Sequence, residues 1–217
     1  MTYVMGDIHG EFERYKEMLS KINMSMSDSL YLMGDIIDRK PNGVDIALDA
    51  MSRENVFMLK GNHEVMCLDT LGQHPAFGAK GLWYSNGGYC TFMDLTRMRS
   101  CDVRDNVLRY FEDAPLYRDI EVNGQKYHLV HGCPSPDYDK MVMIWDRPTK
   151  ATVSPFPDTT VIVGHTPTPF IDRTLEFPSV RIWYGDGIID VDCGCGHDRP
   201  TRRLACLRLD DMAEFYV

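Results

Sequence analysis

Six side chains able to bind divalent cations recur at one kind of position in this chain of 217 residues. Asp7, His9, Asp35, Asn62, His131 and His165 each stand at or just past the end of a short apolar run, next to a glycine. The first spacings are nearly equal: 35 − 7 is 28 and 62 − 35 is 27. All six offer an oxygen or an imidazole nitrogen, and none a thiolate. Such a set suits hard or borderline ions: manganese, iron, zinc or magnesium. Six ligands exceed what one catalytic ion takes while keeping a position open. Divided between two ions, with one carboxylate bridging, they fit a centre in which ions about 3.5–4 Å apart hold a hydroxide and clamp a phosphoryl group. An Asp after a Gly is, alone, most often a turn former or helix cap. Donors at the ends of five successive runs are not explained by packing.

The runs are Tyr3-Val4-Met5, Leu30-Tyr31-Leu32-Met33, Val56-Phe57-Met58-Leu59, Tyr127-His128-Leu129-Val130 and Val161-Ile162-Val163. Their length and turn-forming borders predict buried strands. Between the first three, Phe12, Tyr15, Met18, Leu19 and Ile22, then Val44, Ala47, Leu48 and Met51, repeat at helical spacing. Alternating strand and helix predicts a parallel sheet with right-handed crossovers. In such sheets ligands gather beyond the carboxyl ends of the strands. Glycines at 6, 10, 34, 61, 132 and 164 let the backbone turn sharply there and approach an ion. Residues 64 to 115 read as mostly helical, with an aromatic core of Trp83, Tyr84, Tyr89, Phe92 and Phe111, or with part of the segment walling the cleft. Runs at 116–122 and 126–130 flank Asn123-Gly124, a hairpin signal. Runs at 180–184, 187–191 and 203–209 fit strands, and 148–157, with three prolines, reads as a loop. At about 150 residues per domain, residues 1–217 are expected to form one domain.

The chain is 44% hydrophobic and 25% charged, a globular balance that excludes disorder, collagen and coiled coil. A chain of this length buries about 70% of its unfolded surface, enough for a core without staples. Acidic minus basic residues, 32 − 23, gives a net charge of −9. Nucleic acid and anionic membrane are therefore not expected as partners, and an anion site needs its own local positive charge. No apolar run approaches the roughly 18 residues of a spanning helix. The start shows no signal-peptide pattern. Seven cysteines, an odd number without Cys-x-x-Cys spacing, read as reduced thiols, so a cytoplasmic location is expected. Cys193-Gly194-Cys195-Gly196-His197 lacks zinc-ligand spacing and reads as a Gly-rich turn.

Gly6-Asp7-Ile8-His9-Gly10, Gly34-Asp35-Ile36-Ile37-Asp38-Arg39 and Gly61-Asn62-His63-Glu64 resemble the three signatures of the metal-dependent phosphoprotein phosphatase (PPP) family, within the calcineurin-like metallophosphoesterases. His131-Gly132 and Gly164-His165-Thr166 resemble its two later histidine motifs. The compact length is closer to the bacterial and phage serine/threonine phosphatases than to the eukaryotic catalytic subunits. The resemblance implies an α/β fold, a central β-sandwich flanked by helices in four layers (α/β/β/α). It implies Asp7 and His9 on a first ion, Asn62, His131 and His165 on a second, and Asp35 bridging them. Manganese is the favoured metal, with iron or zinc as alternatives. His63 would protonate the leaving oxygen, Asp38 would orient it, and Arg39 would bind phosphate oxygens. Arg147, in Ile144-Trp145-Asp146-Arg147, resembles the family's second phosphate-binding arginine. The guanidinium fork reaches two phosphate oxygens at once, and a carboxylate-paired histidine is favoured as the cation a general acid must be.

The implied reaction is hydrolysis of phosphomonoesters, foremost phosphoserine or phosphothreonine on proteins and peptides, by direct attack of a metal-bridging hydroxide. Some positions depart from the pattern. Lys40 follows Arg39 where glycine is usual, and Lys60 precedes Gly61 where arginine is common. The eukaryotic Ser-Ala-Pro-Asn-Tyr segment is absent, and Val191-Asp192-Cys193-Gly194-Cys195 resembles the Ile-Asp-Thr-Gly segment of bacterial members. Two rival activities share these motifs. A symmetrical dinucleoside polyphosphate (diadenosine tetraphosphate) hydrolase would need a base pocket, for which 83–92 is a candidate. A silent metal-binding scaffold that recruits phosphoproteins would not need His63, Asp38 and Arg39. His74 and His197 have no evident partner, and His128 reads as packing or solvent-facing.

Overall fold

A computed structural model describes residues 1–217. Two-residue alternation sets its architecture, because successive strand side chains point to opposite faces. In β1 (Thr2–Met5), Tyr3 and Met5 enter one apolar cluster and Val4 another. In β2 (Ser29–Leu32), Leu30 and Leu32 join the former and Tyr31 packs against the latter. This sheet therefore has a core on each face. It also holds β3 (Val56–Met58), β9 (Ala205–Arg208) and β10 (Ala213–Tyr216), in the order β10-β9-β1-β2-β3. β1, β2 and β3 run parallel, as predicted, and β9 is antiparallel to both of its neighbours.

The second sheet has the order β4-β5-β6-β8-β7, from β4 (Tyr117–Val122), β5 (Gln125–Val130), β6 (Thr159–Val163), β7 (Trp183–Tyr184) and β8 (Ile188–Asp190). Its three middle strands are parallel. Between the sheets Leu129, Ile162 and Ile189 meet Val4, Met33 and Leu207. Beyond the first sheet, α1 (Phe12–Lys21), α2 (Gly43–Met51), α3 (Asn62–Leu71) and α6 (Cys101–Asp113) bring Tyr15, Met18, Val44, Met66 and Phe111 onto Tyr3 and Leu30. Beyond the second, Met143 of α7 (Lys140–Trp145) and Ile171 cover Val130, Val161 and Val163. The four layers implied by the resemblance are present, the outer helical layer being thin.

Between α3 and α6 lie α4 (Ala79–Ser85) and α5 (Tyr89–Met93). Trp83 and Phe111 belong to the same cluster as Tyr3 and Leu30, so this segment shares the main core instead of forming one of its own. At the predicted hairpin, Asn123 and Gly124 both take positive φ (52° and 81°), the mirror-image turn that matches strand twist. Within 180–184 only Trp183 and Tyr184 pair as a strand. Val180 and Ile182 instead give their N–H groups to Thr201 O and Tyr216 Oη. β10 was not foreseen, and its partly exposed edge position explains the weak pattern. His128 is buried and packs as expected, but also pairs with Asp119 (2.6 Å) and stacks on Tyr117. No helix is long and apolar enough to cross a membrane.

Candidate metal centre

The six donors stand beyond the carboxyl ends of parallel strands from both sheets. Asp7 and His9 follow β1, Asp35 follows β2, and Asn62 opens α3 after β3. His131 follows β5 and His165 follows β6. All six are buried. Five of the ten non-glycine residues with positive φ are His9, Asp35, Asp38, Arg39 and His165. Left-handed backbone is costly for such residues, so the neighbourhood must hold it in place. Asp35 O accepts the N–H groups of Ile8 and His9 (3.1 and 2.9 Å). The buried Glu64 carboxylate accepts those of Asp35, Gly61 and Ile36 (2.9, 2.9 and 3.0 Å). Glu64 thus ties the end of β2 to the end of β3. Its reach back to the residue before α3 is half of a capping box, a signal the sequence carried.

Asp35 is central. Its Oδ2 lies 3.7 Å from His9 Nε2 and 3.8 Å from His63 Nε2, and its Oδ1 lies 3.4 Å from His131 Nε2. Two groups, His9-Asp35-His63 and Asp35-His131-His165, each bring their ligand atoms within 4.8 Å of one another, and both include Asp35. Asp7 Oδ2 lies 3.9 Å from His9 Nε2, and Asn62 Oδ1 lies 3.1 Å from His131 Nε2. The two Asp7 oxygens receive the His165 N–H at 3.1 and 3.2 Å. A Cβ on Gly164 would sit 2.6 Å from Asp7 Oδ1, which is why that position bears none.

Backbone carbonyls orient three of the imidazoles. His9 Nδ1 donates to Ile37 O (3.1 Å), His131 Nδ1 to Met33 O (2.7 Å) and His165 Nε2 to Trp145 O (3.2 Å). A carbonyl that fixes one ring N–H leaves the other nitrogen for a metal. The electrostatics favour positive charge beside the carboxylates, while burial disfavours it on His9. Burial pushes the Asp7 carboxyl well above the usual range, and the nearby Asp192 adds to it. Burial opposes charge on Asp35, but His131 and His63 outweigh it and hold that carboxyl well below the usual range. Burial would likewise depress His131, yet Asp35 lifts it to about 10. Burial, with His131, drives His165 down to about 3. Buried carboxylates crowd Asp7 on one side, where a dication would relieve them. No cysteine competes: Cys195 Sγ donates to Ile8 O. These residues fit divalent cations, and the Cys193 to His197 stretch is a turn with Gly194 and Gly196 at positive φ (both 78°).

His63 Nδ1 donates to Asp38 Oδ2 at 2.7 Å. Burial disfavours a charged His63, but Asp35 and Asp38 outweigh it and raise its pKa. Arg39 donates from Nη1 to His197 Nε2 (2.8 Å), while Lys40 pairs with Asp198. Burial and Arg39 push His197 down to about 4, so it meets Arg39 as a neutral acceptor. His197 therefore does have a partner, brought by a loop distant in sequence. Arg147 is exposed and donates from Nη1 to His165 O (3.3 Å), which puts it at the rim of the centre. Asp192, pushed up to about 6 by burial, follows β8 beside Asp7; sequence reasoning gave it no role. Trp83 is fully buried and gives its N–H to Asp38 Oδ2 (2.6 Å), so its ring offers no platform for a base.

The family described as calcineurin-like phosphoesterase matches residues 2–198. The chain belongs to that family. This calcineurin-like phosphoesterase is 29% identical over 153 residues to serine/threonine-protein phosphatase 2 of Salmonella typhimurium, covering 67% of each chain. It is 35% identical over 140 residues to the symmetrical bis(5'-nucleosyl)-tetraphosphatase of Haemophilus ducreyi, covering 64% of this chain and 47% of that one. The phosphoesterase thus spans about two thirds of the first relative and under half of the second. A solved structure provisionally assigned as a diadenosine tetraphosphatase superposes with a TM-score of 0.66 at 18% identity, covering 100% of this chain and 92% of the other. At that identity the likeness speaks for the fold alone.

Proposed function

We propose that this phosphoesterase is a dinuclear metal-dependent phosphatase acting on phosphomonoesters, foremost phosphoserine and phosphothreonine on proteins, in the cytoplasm, with residues 1–217 as one catalytic domain. The observation that carries this reading is the position of Asp35, whose two oxygens face two separate histidine groups. Asp7, His9 and Asp35 would hold one ion; Asp35, Asn62, His131 and His165 would hold the other. When bound, the ions (manganese first, iron or zinc as alternatives) supply Lewis-acid charge to the phosphoryl oxygens and a nucleophile at neutral pH.

The remaining tasks fall to the chain. Arg39 and Arg147 bind phosphate oxygens through charge-assisted hydrogen bonds. His63 lies within ligand distance of Asp35, but its Nδ1 is engaged by Asp38 and its protonated form is favoured. The Asp38 bond on Nδ1 fixes the ring and leaves Nε2–H free, so His63 serves as general acid to the leaving oxygen. Positioning and charge are what phosphoryl transfer needs most, so no covalent nucleophile is assigned.

Likeness to a serine/threonine phosphatase over two thirds of both chains supports the protein substrate. The relative named as a tetraphosphatase supports a second reading, a symmetrical diadenosine tetraphosphate hydrolase. A side-by-side assay with a phosphoserine peptide and diadenosine tetraphosphate, in manganese, separates the two. Turnover of the peptide with little of the dinucleotide is expected, and the reverse would transfer the assignment. Absence of turnover on both, with two ions bound, would leave the scaffold reading.

A further inference from the structure

Trp83 lies on α4, outside every motif, yet its indole N–H reaches Asp38 Oδ2 at 2.6 Å. The same oxygen receives Nδ1–H of His63 at 2.7 Å. Trp83 and Asp38 are 0% exposed and His63 is 1% exposed, so water substitutes for neither donor. The other oxygen, Asp38 Oδ1, is buried without a partner. The chain around the indole is shaped to keep it there. Gly88 leaves room where its Cβ would enter the indole ring, and Phe92 packs edge-on with centroids 6.2 Å apart. The same segment holds the backbone of the loop. Thr91 Oγ1 accepts the Asp38 N–H and Gly87 O accepts the Arg39 N–H, both at 3.1 Å. Asp38 and Arg39 are consecutive residues at positive φ (72° and 64°), a conformation that needs such support.

We propose that Trp83 is a positioning residue for the general acid. It fixes the rotation of the Asp38 carboxylate, and through it the ring of His63, so that Nε2–H is aimed at the leaving oxygen. This inference rests on the reading of His63 as the acid. The terminal torsion of an aspartate is broad. With both donors on Oδ2 and none on Oδ1, a single rotation satisfies them. Without the indole N–H a buried carboxylate keeps one side-chain donor, and the His63 ring can follow it out of line. The indole N–H bonds to Asp38 and to no proposed metal ligand or phosphate-binding arginine, so the loss of that bond falls on delivery of the proton.

The leaving group tests this. When the P–O bond of an ester breaks, the departing oxygen keeps the bonding electron pair and takes the proton from His63 Nε2. Phenolate needs that proton far more than p-nitrophenolate, whose charge the nitro group spreads. Manganese-loaded Trp83→Phe is compared with the unaltered enzyme on phenyl phosphate and on p-nitrophenyl phosphate. On phenyl phosphate kcat should fall about tenfold or more, as for a lost hydrogen bond to a charged group, with KM unchanged. On p-nitrophenyl phosphate kcat should stay within about threefold, because acid catalysis contributes little there. A merely structural role would lower both alike. Equal losses on both esters, or no loss on either, overturn the proposal.

His63→Asn supplies the reference, with the same selectivity and a loss of roughly 10²–10⁴-fold on phenyl phosphate. If that variant lacks selectivity, the acid reading itself fails. If only Trp83→Phe lacks it, the role of Trp83 alone fails. Should Trp83→Phe not fold, all three tryptophans can be replaced by benzothienylalanine, in which sulfur takes the place of the N–H. Trp83 is the one tryptophan whose indole donates to another residue, so the exchange removes one hydrogen bond and keeps the shape. The same selective loss is expected, and an unchanged ratio of the two rates overturns the proposal.

Discussion

Gly61 offers a way to displace Asp35 without altering its chemistry. Its backbone is extended (φ −91°, ψ 175°), which alanine adopts freely, so Gly61→Ala brings no conformational strain. What it adds is a methyl group whose carbon would collide with Asp35 Oδ1 and lie 2.7 Å from Asp35 N and 2.9 Å from Glu64 Oε2. Optimal contact is about 3.5 Å, so the Asp35 loop must retreat by about 1 Å. That movement opens the bonds from His63 N to Asp35 Oδ1 (3.0 Å) and from Asp35 N to Glu64 Oε2 (2.9 Å). Overpacking of this kind destabilises by about 1–3 kcal/mol. A displacement of about 1 Å at a reacting centre lowers turnover about 10²-fold. Metal content by mass spectrometry, kcat on p-nitrophenyl phosphate and thermal unfolding report the three consequences. Gly124→Ala is the opposite control: its φ is +81° and nothing lies within 4 Å of the added carbon. It should lose about 1–2 kcal/mol of stability from left-handed strain, with metal content and kcat unchanged. A Gly61→Ala protein that binds two ions per chain and turns over normally would refute the placement of Asp35 at the junction of both groups.

Asp35→Asn should weaken both ions together, since both groups share that carboxylate; full retention of two ions per chain would count against bridging. His197→Ala should free the Arg39 side chain and raise KM for phosphoesters about three- to tenfold, the entropy of one immobilised side chain, with kcat kept; a fall in kcat at constant KM would contradict this. In chelator, Asp35 outweighs burial and holds His131 at about 10, above its ordinary 6.5, so the folded state binds that proton more tightly than the unfolded one. Its contribution is complete below 6.5 and is lost as pH rises towards 10. Urea unfolding of the chelated protein should therefore weaken over that range, and His131→Gln should flatten the slope; parallel slopes for both proteins would exclude His131 as the cause. Chelation should also abolish turnover and manganese restore it, while activity that survives chelation would remove the metals from the mechanism.

The strands that carry the donors were legible because each is a short apolar run closed by a glycine and a polar residue. The alternation of Tyr3 and Met5 against Val4 then follows from strand geometry alone. Other residues were illegible because their meaning depends on partners far along the chain. Trp83 meets Asp38 across 45 positions, and Arg39 meets His197 across 158. Local pattern marks Trp83 only as apolar and aromatic, which any core tryptophan satisfies. Glu64 stood inside a motif with Gly61, but its other two backbone partners, Asp35 and Ile36, come from a loop the pattern does not join to it. Val180 and Ile182 have strand-like side chains and lose that pairing to Thr201 and Tyr216.

Four of the six donors grow from one sheet and two from the other, and Asp7 touches His165 across 158 positions of chain. An early fragment can therefore assemble only part of the centre. The whole comes into being only when the two halves close on each other, like a buckle whose tongue and frame are made separately. A half-finished chain carries Asp7, His9 and Asp35 but lacks His131 and His165, so the second ion's set is incomplete, and an ion seated between Asn62 and His165 would fasten one half to the other. Competence for chemistry and completion of the architecture would then arrive in the same event.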